Sequence, residues 1–200
     1  MVSRFPGPDP LRFSLERFAL SGLHNRENLM AAVLAALGTG VSPEAVQRGM
    51  DAFKGLSHRM EFVVSYRGVD VYNDSKATNV DAAVRAVESF DRPIILIAGG
   101  RHKGADYGPL VRASRGCVKD AVFLGEARDL LAKAFEGKVA YRIVDTLDQA
   151  VSEALDLALP GDVVLLAPAC SSFDMFQDYV HRGRAFAESA RRFVNGGASA

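Results

Sequence analysis

Six polar residues occupy seven consecutive positions in Asn73-Asp74-Ser75-Lys76-Ala77-Thr78-Asn79, where apolar alternation gives way to helical spacing. Asp74 offers a carboxylate for a ribose hydroxyl or a hydrated Mg2+, Lys76 a cation suited to phosphate, and Thr78 a hydroxyl donor. A second cluster follows Gly99-Gly100, where Arg101, His102 and Lys103 make a compact cationic turn able to hold a carboxylate or phosphate. A third places Ser171 and Ser172 after the apolar run VVLLAPA, at an expected helix start, where hydroxyls and free backbone N–H groups favour an anion. Each cluster also has a plainer account. Asn, Asp, Ser and Thr favour turns through local hydrogen bonds, and Asn79 suits a helix cap. Glycine and charge are common in solvated strand-to-helix loops. Ser172 would serve as a cap, with Phe173, Phe176 and Tyr179 as core residues at spacing three.

Other chemistries lack their patterns. Neither GxGxxG nor GxxxxGK[ST] surrounds the paired glycines, and no GxSxG elbow surrounds either serine. Cys117 and Cys170 stand far apart without paired-ligand spacing, which points to buried thiols rather than a disulfide framework or a zinc site. Upstream, HNRENLMAA supplies Asn25 and Asn28 at a helix start, and GLSHRME supplies His58 and Arg59 before a hairpin. Alone, these read as a cap and a surface charge.

The elements that must position these clusters follow from periodicity. Residues 1–10 read as an irregular lead-in and 11–22 as short strand pieces. From Asn25 the spacing of Leu29, Ala32, Val33 and Leu37 predicts a helix of about three turns. Ser42 and Pro43 open another, with Ala45, Val46 and Met50 on one face and an end before Gly55. EFVVSYRGVDVYND predicts a β-hairpin turning at Arg67-Gly68. A helix capped by Asn79 follows, with Val80, Ala83, Val84, Val87 and Phe90 on one face, and then PIILIAGG, a strand buried on both faces. Three further units pair strand 118–124 with helix 126–136, strand 138–144 with helix 146–158, and strand 163–168 with a long helix ending near Val194. The fold class is α/β: a Rossmann-like, mostly parallel sheet flanked by helices, joined by right-handed crossovers. The composition shift after Gly55 divides a small piece, 1–55, from an α/β domain, 56–200. In such sheets ligands bind beyond the carboxyl ends of the strands, so the three clusters should emerge on one edge.

Bulk properties exclude several classes. With 24 basic and 24 acidic residues among 200, no net field attracts nucleic acid or an anionic membrane. No apolar run approaches the roughly 20 residues that span a bilayer, and no signal-peptide core follows Met1, so the expected location is the cytoplasm.

Taken in order, GLHNRENLMAA, GLSHRME, NDSKATN, GGRHKGAD and LLAPACSSFDMFQDYVHRG resemble the distal part of the Mur ligases, nearly from Phe13 to Val194. NDSKATN fits the branch that adds D-glutamate to UDP-N-acetylmuramoyl-L-alanine, and the DNPR motif of the diamino-acid-adding branch is absent. The resemblance implies that 1–55 is the tail of the central ATP-binding domain and 56–200 the C-terminal, D-glutamate-binding domain. It implies an ADP-forming ligase of cell-wall peptidoglycan synthesis, with ATP and Mg2+ as cofactors held mainly by proximal domains. Those domains are expected partners, alongside D-glutamate and UDP-N-acetylmuramoyl-L-alanine. With no phosphate-binding loop of its own, the chain alone is expected to be inactive. Carried over residue by residue, Asn28, Arg59, Asp74 and Lys76 would contact the nucleotide, and Thr78, Lys103, Ser172, Phe173 and Tyr179 the D-glutamate. One departure stands out: where the family often has Asp just before the pocket lysine, this chain has His102. Another Mur-type or folylpolyglutamate ligase, or a non-catalytic carboxylate-binding module, remains open.

Overall fold

A short antiparallel pair, β1 (Val2–Ser3) with β2 (Leu11–Arg12), begins the computed structural model, which describes residues 2–3, 10–18 and 23–197. Val2 and Ser3 therefore depart from the irregular lead-in that the prolines suggest; the rest of that stretch, 4–9, and residues 19–22 lie outside the described residues. The chain divides into two units, Met1–Gly55 and Leu56–Ala200. In the first, α1 (Leu23–Gly38) packs on α2 (Pro43–Ala52) through Phe13, Leu29, Val33, Val46 and Met50. α1 begins two residues before Asn25 and is longer than expected, and Ala32 faces solvent, leaving Leu29 and Val33 to carry the contact. Ser42 accepts a hydrogen bond from the Ala45 N–H and Pro43 takes the first turn, where its missing N–H costs nothing.

The second unit opens on the hairpin β3 (Glu61–Tyr66) and β4 (Val69–Asn73). Its two-residue turn has positive φ at Arg67 (51°) and Gly68 (81°), the backbone twist that matches right-handed strands. There follow α3 (Val80–Val87), β5 (Ile94–Gly99), α4 (Gly108–Ser114), β6 (Val118–Leu124), α5 (Arg128–Phe135), β7 (Ala140–Ile143), α6 (Leu147–Leu157), β8 (Val163–Leu166) and α7 (Tyr179–Gly197). The sheet order is β3-β4-β8-β5-β6-β7, parallel throughout except for β3 at its edge. One core lies between the sheet and α3, α4 and α5, the other between the sheet and α6 and α7. β5 and β8 sit between the two cores, which is why both read as unbroken apolar runs.

Two departures from the periodic reading matter for the site. α4 is too short to declare a period, and Tyr107 gives it no side-chain cap. The last helix does not follow β8 directly, because Ala169 takes a left-handed φ of 58° and sends the chain into an irregular segment. α7 starts at Tyr179, where the Asp178 carboxylate accepts a 2.7 Å bond from the His181 N–H.

Gly99 ends β5 at φ 133°, and a Cβ there would run into the Leu124 carbonyl. Gly104 also has positive φ, 77°, but faces open space. Gly99→Ala should therefore cost roughly 3 kcal/mol or more, and Gly104→Ala about 1 kcal/mol, read from urea midpoints at unchanged slope. Equal costs would contradict the close approach of β5 and β6 at this end.

Candidate functional site

The strand order reverses at β8, which lies between β4 and β5 although it is the last strand in sequence. At such a switch point, loops leaving neighbouring strands part and open a crevice. The turns after β4, β5 and β8 meet there through the backbone: Ala169 N–H donates to Ala77 O at 2.9 Å, Gly99 N–H to Pro168 O at 2.9 Å, and Arg101 N–H to Ser171 O at 2.9 Å.

The first turn is locked from below by Asn73, which is fully buried. Its amide nitrogen reaches Gly183 O at 3.1 Å, Glu61 Oε2 at 3.2 Å and His58 Nδ1 at 3.1 Å, while its oxygen accepts from the Ser75 N–H at 3.1 Å. His58 and Met60 both have positive φ, 63° and 45°, so the segment around Arg59 is a strained reversal. It is pinned to the turn, because Lys76 N–H donates to His58 O at 3.0 Å. Asp74 is buried at 7% exposure. Burial raises its carboxyl to about 6, against the opposing influence of a bond from the Met60 backbone and of the nearby Arg59 charge. Arg59 and Lys76 are exposed cations beside it. Lys76 Nζ lies 4.0 Å from the centroid of the Tyr179 ring.

Arg182, absent from the sequence expectations, joins the first and third turns. It is 3% exposed and donates through Nε to Ser75 Oγ at 3.0 Å, through Nη2 to Ser75 O at 3.0 Å, and through Nη1 and Nη2 to Cys170 O at 3.2 Å. Ser75 Oγ in turn donates to Tyr179 O at 2.8 Å. Among the described residues no carboxylate forms an ion pair with Arg182. Burial lowers its pKa to about 10, with Cys170 and Asp174 opposing. The available signal was a charge on the inward face of an amphipathic helix, one turn from the fully buried Phe186.

The other expected site residues fall as follows. Thr78 is half-buried on the first turn and Lys103 exposed on the second. Ser172 is buried, but neither it nor Ser171 lies at a helix start, since α7 begins seven residues later at Tyr179. Ser172 instead nucleates a turn of its own, its carbonyl accepting from the Met175 and Phe176 N–H groups at 3.2 and 2.8 Å. Phe173 is 61% exposed, so it is a rim residue rather than core; Phe176 and Tyr179 are half-buried. Asn28 belongs to the N-terminal unit, on the solvent side of α1. The donor set of the second unit suits an anionic ligand with hydroxyls. For a resident metal the fit is poor, because the described residues contain no group of three His, Cys, Asp or Glu side chains placed to hold one.

A family model described as Mur ligase, glutamate ligase domain, matches residues 58–170. The UDP-N-acetylmuramoylalanine–D-glutamate ligase of Geotalea daltonii is 44% identical over 196 residues, 98% of this chain and 43% of that protein. The enzyme of the same name from Myxococcus xanthus is 47% identical over 174 residues, 87% of this chain and 38% of its own length. The chain thus spans less than half the length of these relatives. Among solved structures, the UDP-N-acetylmuramate-alanine ligase of Thermotoga maritima matches with a TM-score of 0.63 at 16% identity, over 87% of this chain and 39% of that one. The folylpolyglutamate synthase of the same organism matches with a TM-score of 0.55 at 19% identity, over 89% and 40%. At such identities the likeness is one of fold.

Asp74 generates a pH prediction. Its folded pKa of about 6 lies above the ordinary 3.8, so the folded state binds the proton more tightly than the unfolded state. Its penalty is absent below about pH 4, grows as pH rises, and is complete above about pH 6. Asp74→Asn keeps an oxygen for the Met60 N–H without the buried charge. It should be more stable than wild type by up to about 3 kcal/mol at pH 7.5 and show little gain at pH 4, measured by urea unfolding. A pH-independent difference would place the Asp74 carboxylate in water.

Proposed function

The chain belongs to the Mur ligase family, and on that premise we propose that it is the distal part of an ATP-dependent, ADP-forming ligase that joins D-glutamate to UDP-N-acetylmuramoyl-L-alanine for peptidoglycan synthesis. Residues 1–55 are then the tail of a central ATP-binding domain and 56–200 the domain that brings the amino acid. The observation that carries the reading is the meeting of the turns after β4, β5 and β8 at one switch point, each bearing a residue suited to one end of the ligands. The D-glutamate ligases similar to 98% and 87% of the chain supply the substrate's identity.

In this reading, ATP phosphorylates the alanyl carboxylate, and the amine of D-glutamate displaces phosphate from the acyl phosphate. The chain's own residues bind and orient. Arg59 and Lys76 offer cations to the phosphates, and Asp74 accepts from a ribose hydroxyl, strengthened by its dry surroundings. Asn28 contacts the adenine. Lys103 neutralises a carboxylate of D-glutamate, Thr78 and Ser172 donate hydroxyls to it, and Phe173 and Tyr179 shield it from water. Fixing the amine near the acyl carbon by several contacts on separate turns is the rate gain such a domain supplies. Mg2+ contributes charge neutralisation and is assigned to the proximal domains, given the donor set described above. The chain alone should not ligate, because its sequence carries no GxxxxGK[ST] loop to cradle a γ-phosphate. A cytoplasmic enzyme with no membrane segment fits the substrates; no helix of the described residues is long and apolar enough to cross a membrane.

The test is amino-acid-dependent phosphate release by the complete ligase polypeptide across a panel of D- and L-amino acids. D-glutamate alone should support release; stimulation by L-lysine, meso-diaminopimelate or L-glutamate instead would overturn the substrate assignment. Lys103→Ala and Thr78→Ala should raise the D-glutamate KM or lower kcat at least tenfold, about 1.4 kcal/mol, with the ATP KM nearly unchanged.

A further inference from the structure

The turn that carries Lys103 is weakly held by its own backbone. Arg101 is bridged to Ser171, but among the described residues no backbone-to-backbone bond ties His102 through Asp106 to the rest of the unit. Lys103 is exposed and forms no ion pair among the described residues. A side-chain chain does cross the gap. His102 Nδ1 lies 2.9 Å from the Tyr107 hydroxyl, which lies 3.1 Å from Cys170 Sγ. Tyr107 and Cys170 are 5% and 1% exposed, and the His102 and Tyr107 rings are 5.6 Å apart. Burial pushes both the phenol and the thiol above their ordinary ranges, so each keeps its proton at neutral pH. The strut ends two residues before Ser172 on one side and one residue before Lys103 on the other.

We propose that Tyr107 is a positioning residue whose hydroxyl ties the Lys103 turn to the Cys170–Ser172 turn, fixing the spacing between the cation and the hydroxyl that receive the substrate's carboxylate. The proposal rests on the reading of D-glutamate as that substrate. A carboxylate gripped from two turns loses affinity as either turn drifts, because each contact must then be remade against the entropy of the loop. The nucleotide contacts on the first turn rest on Asn73 and on the bonds of Arg182 to Ser75 and to the Cys170 carbonyl, none of which uses the Tyr107 hydroxyl or the Cys170 thiol.

Three substitutions test this. Tyr107→Phe keeps the ring in the core and removes the hydroxyl, Cys170→Ala removes the far anchor, and Cys170→Ser restores a hydrogen-bonding partner. The first measurement uses this chain without any ligand: limited trypsin cleavage after Lys103, followed by peptide mapping, with cleavage after the exposed Lys138 in the same sample as reference and thermal unfolding as a check on folding. Cleavage after Lys103 should run several-fold faster in Tyr107→Phe than in wild type, relative to cleavage after Lys138. The second uses the complete ligase polypeptide. Tyr107→Phe and Cys170→Ala should raise the D-glutamate KM roughly five- to tenfold with the ATP KM within about twofold, and Cys170→Ser should recover most of the loss. Unchanged cleavage after Lys103 in a folded Tyr107→Phe overturns the strut whatever the substrate. Faster cleavage with an unchanged D-glutamate KM, or with equal changes for ATP, overturns its positioning role. Wild type that releases no phosphate with D-glutamate overturns the substrate reading and leaves the cleavage result to decide the strut.

Discussion

The guanidinium of Arg182 sits inside the second unit without an ion-paired carboxylate among the described residues, its donors turned on the carbonyls of Ser75 and Cys170. Burying a charge without a counter-ion is costly unless hydrogen bonds take over its solvation, and four donations to two loop residues do that. The same bonds make two irregular turns into one body. Neither turn has enough regular structure to fix itself: the first holds two local backbone bonds, from the Ala77 N–H to Asp74 O and from the Thr78 N–H to Lys76 O, and the third passes through a left-handed Ala169. The site's shape therefore depends on a residue placed to touch protein backbone, not on the residues suited to touch ligand.

Arg182 can reach both turns only because the sheet brings them together. β8 threads between β4 and β5, so loops far apart in sequence leave adjacent strands at the same edge. The second turn joins them through the tight approach of Gly99 to the Leu124 carbonyl and the bridge between Arg101 and Ser171. Each turn is thus fastened differently: the first by Asn73 and Arg182, the second by its glycines and by Tyr107, the third by Arg182 and by the cap on α7.

What could be read in the sequence was whatever repeats. The apolar runs of β5 and β8, the alternation of β3 and β4, and the capped periods of α2, α3 and α6 all declare themselves, because every residue in them obeys one period. α4 contributes only Leu110 and Val111 to the core as apolar contacts, too few to show a period. Between β8 and α7, the spacing of Phe173, Phe176 and Tyr179 predicts a helix. The bend at Ala169 and the pull of Arg182 on Cys170 override that local preference, and Phe173 ends in solvent. The candidate ligand residues came as a set only from the order of the motifs and the resemblance it carries, because short polar groups at strand ends serve turns and caps as readily, as Asn73, Ser75 and Asn79 do here. The positioning residues were not legible, since Arg182, Tyr107 and Cys170 look individually like a surface charge and two core residues, and only coordinates reveal the bonds between them.

The density of polar groups in residues 73–79 follows from these constraints. Asn73 faces inward to hold His58, Glu61 and Gly183, Ser75 is taken by Arg182 and Tyr179, and Asn79 caps α3 by accepting from the Ala82 N–H at 2.8 Å. Asp74, Lys76 and Thr78, alternate positions along the turn, are the ones the proposed reading gives to the ligands. Lys76 rests on the ring of Tyr179, an exposed cation–π contact of about 0.5–1 kcal/mol, whereas a bond to a charged phosphate oxygen is worth about 1.5–3 kcal/mol. On the proposed reading, a phosphate therefore draws Lys76 away and uncovers the face of Tyr179, which belongs to the amino-acid side of the site. One short turn then couples the two ligands, because the side chain that answers the nucleotide is the one that covers the aromatic wall of the other pocket.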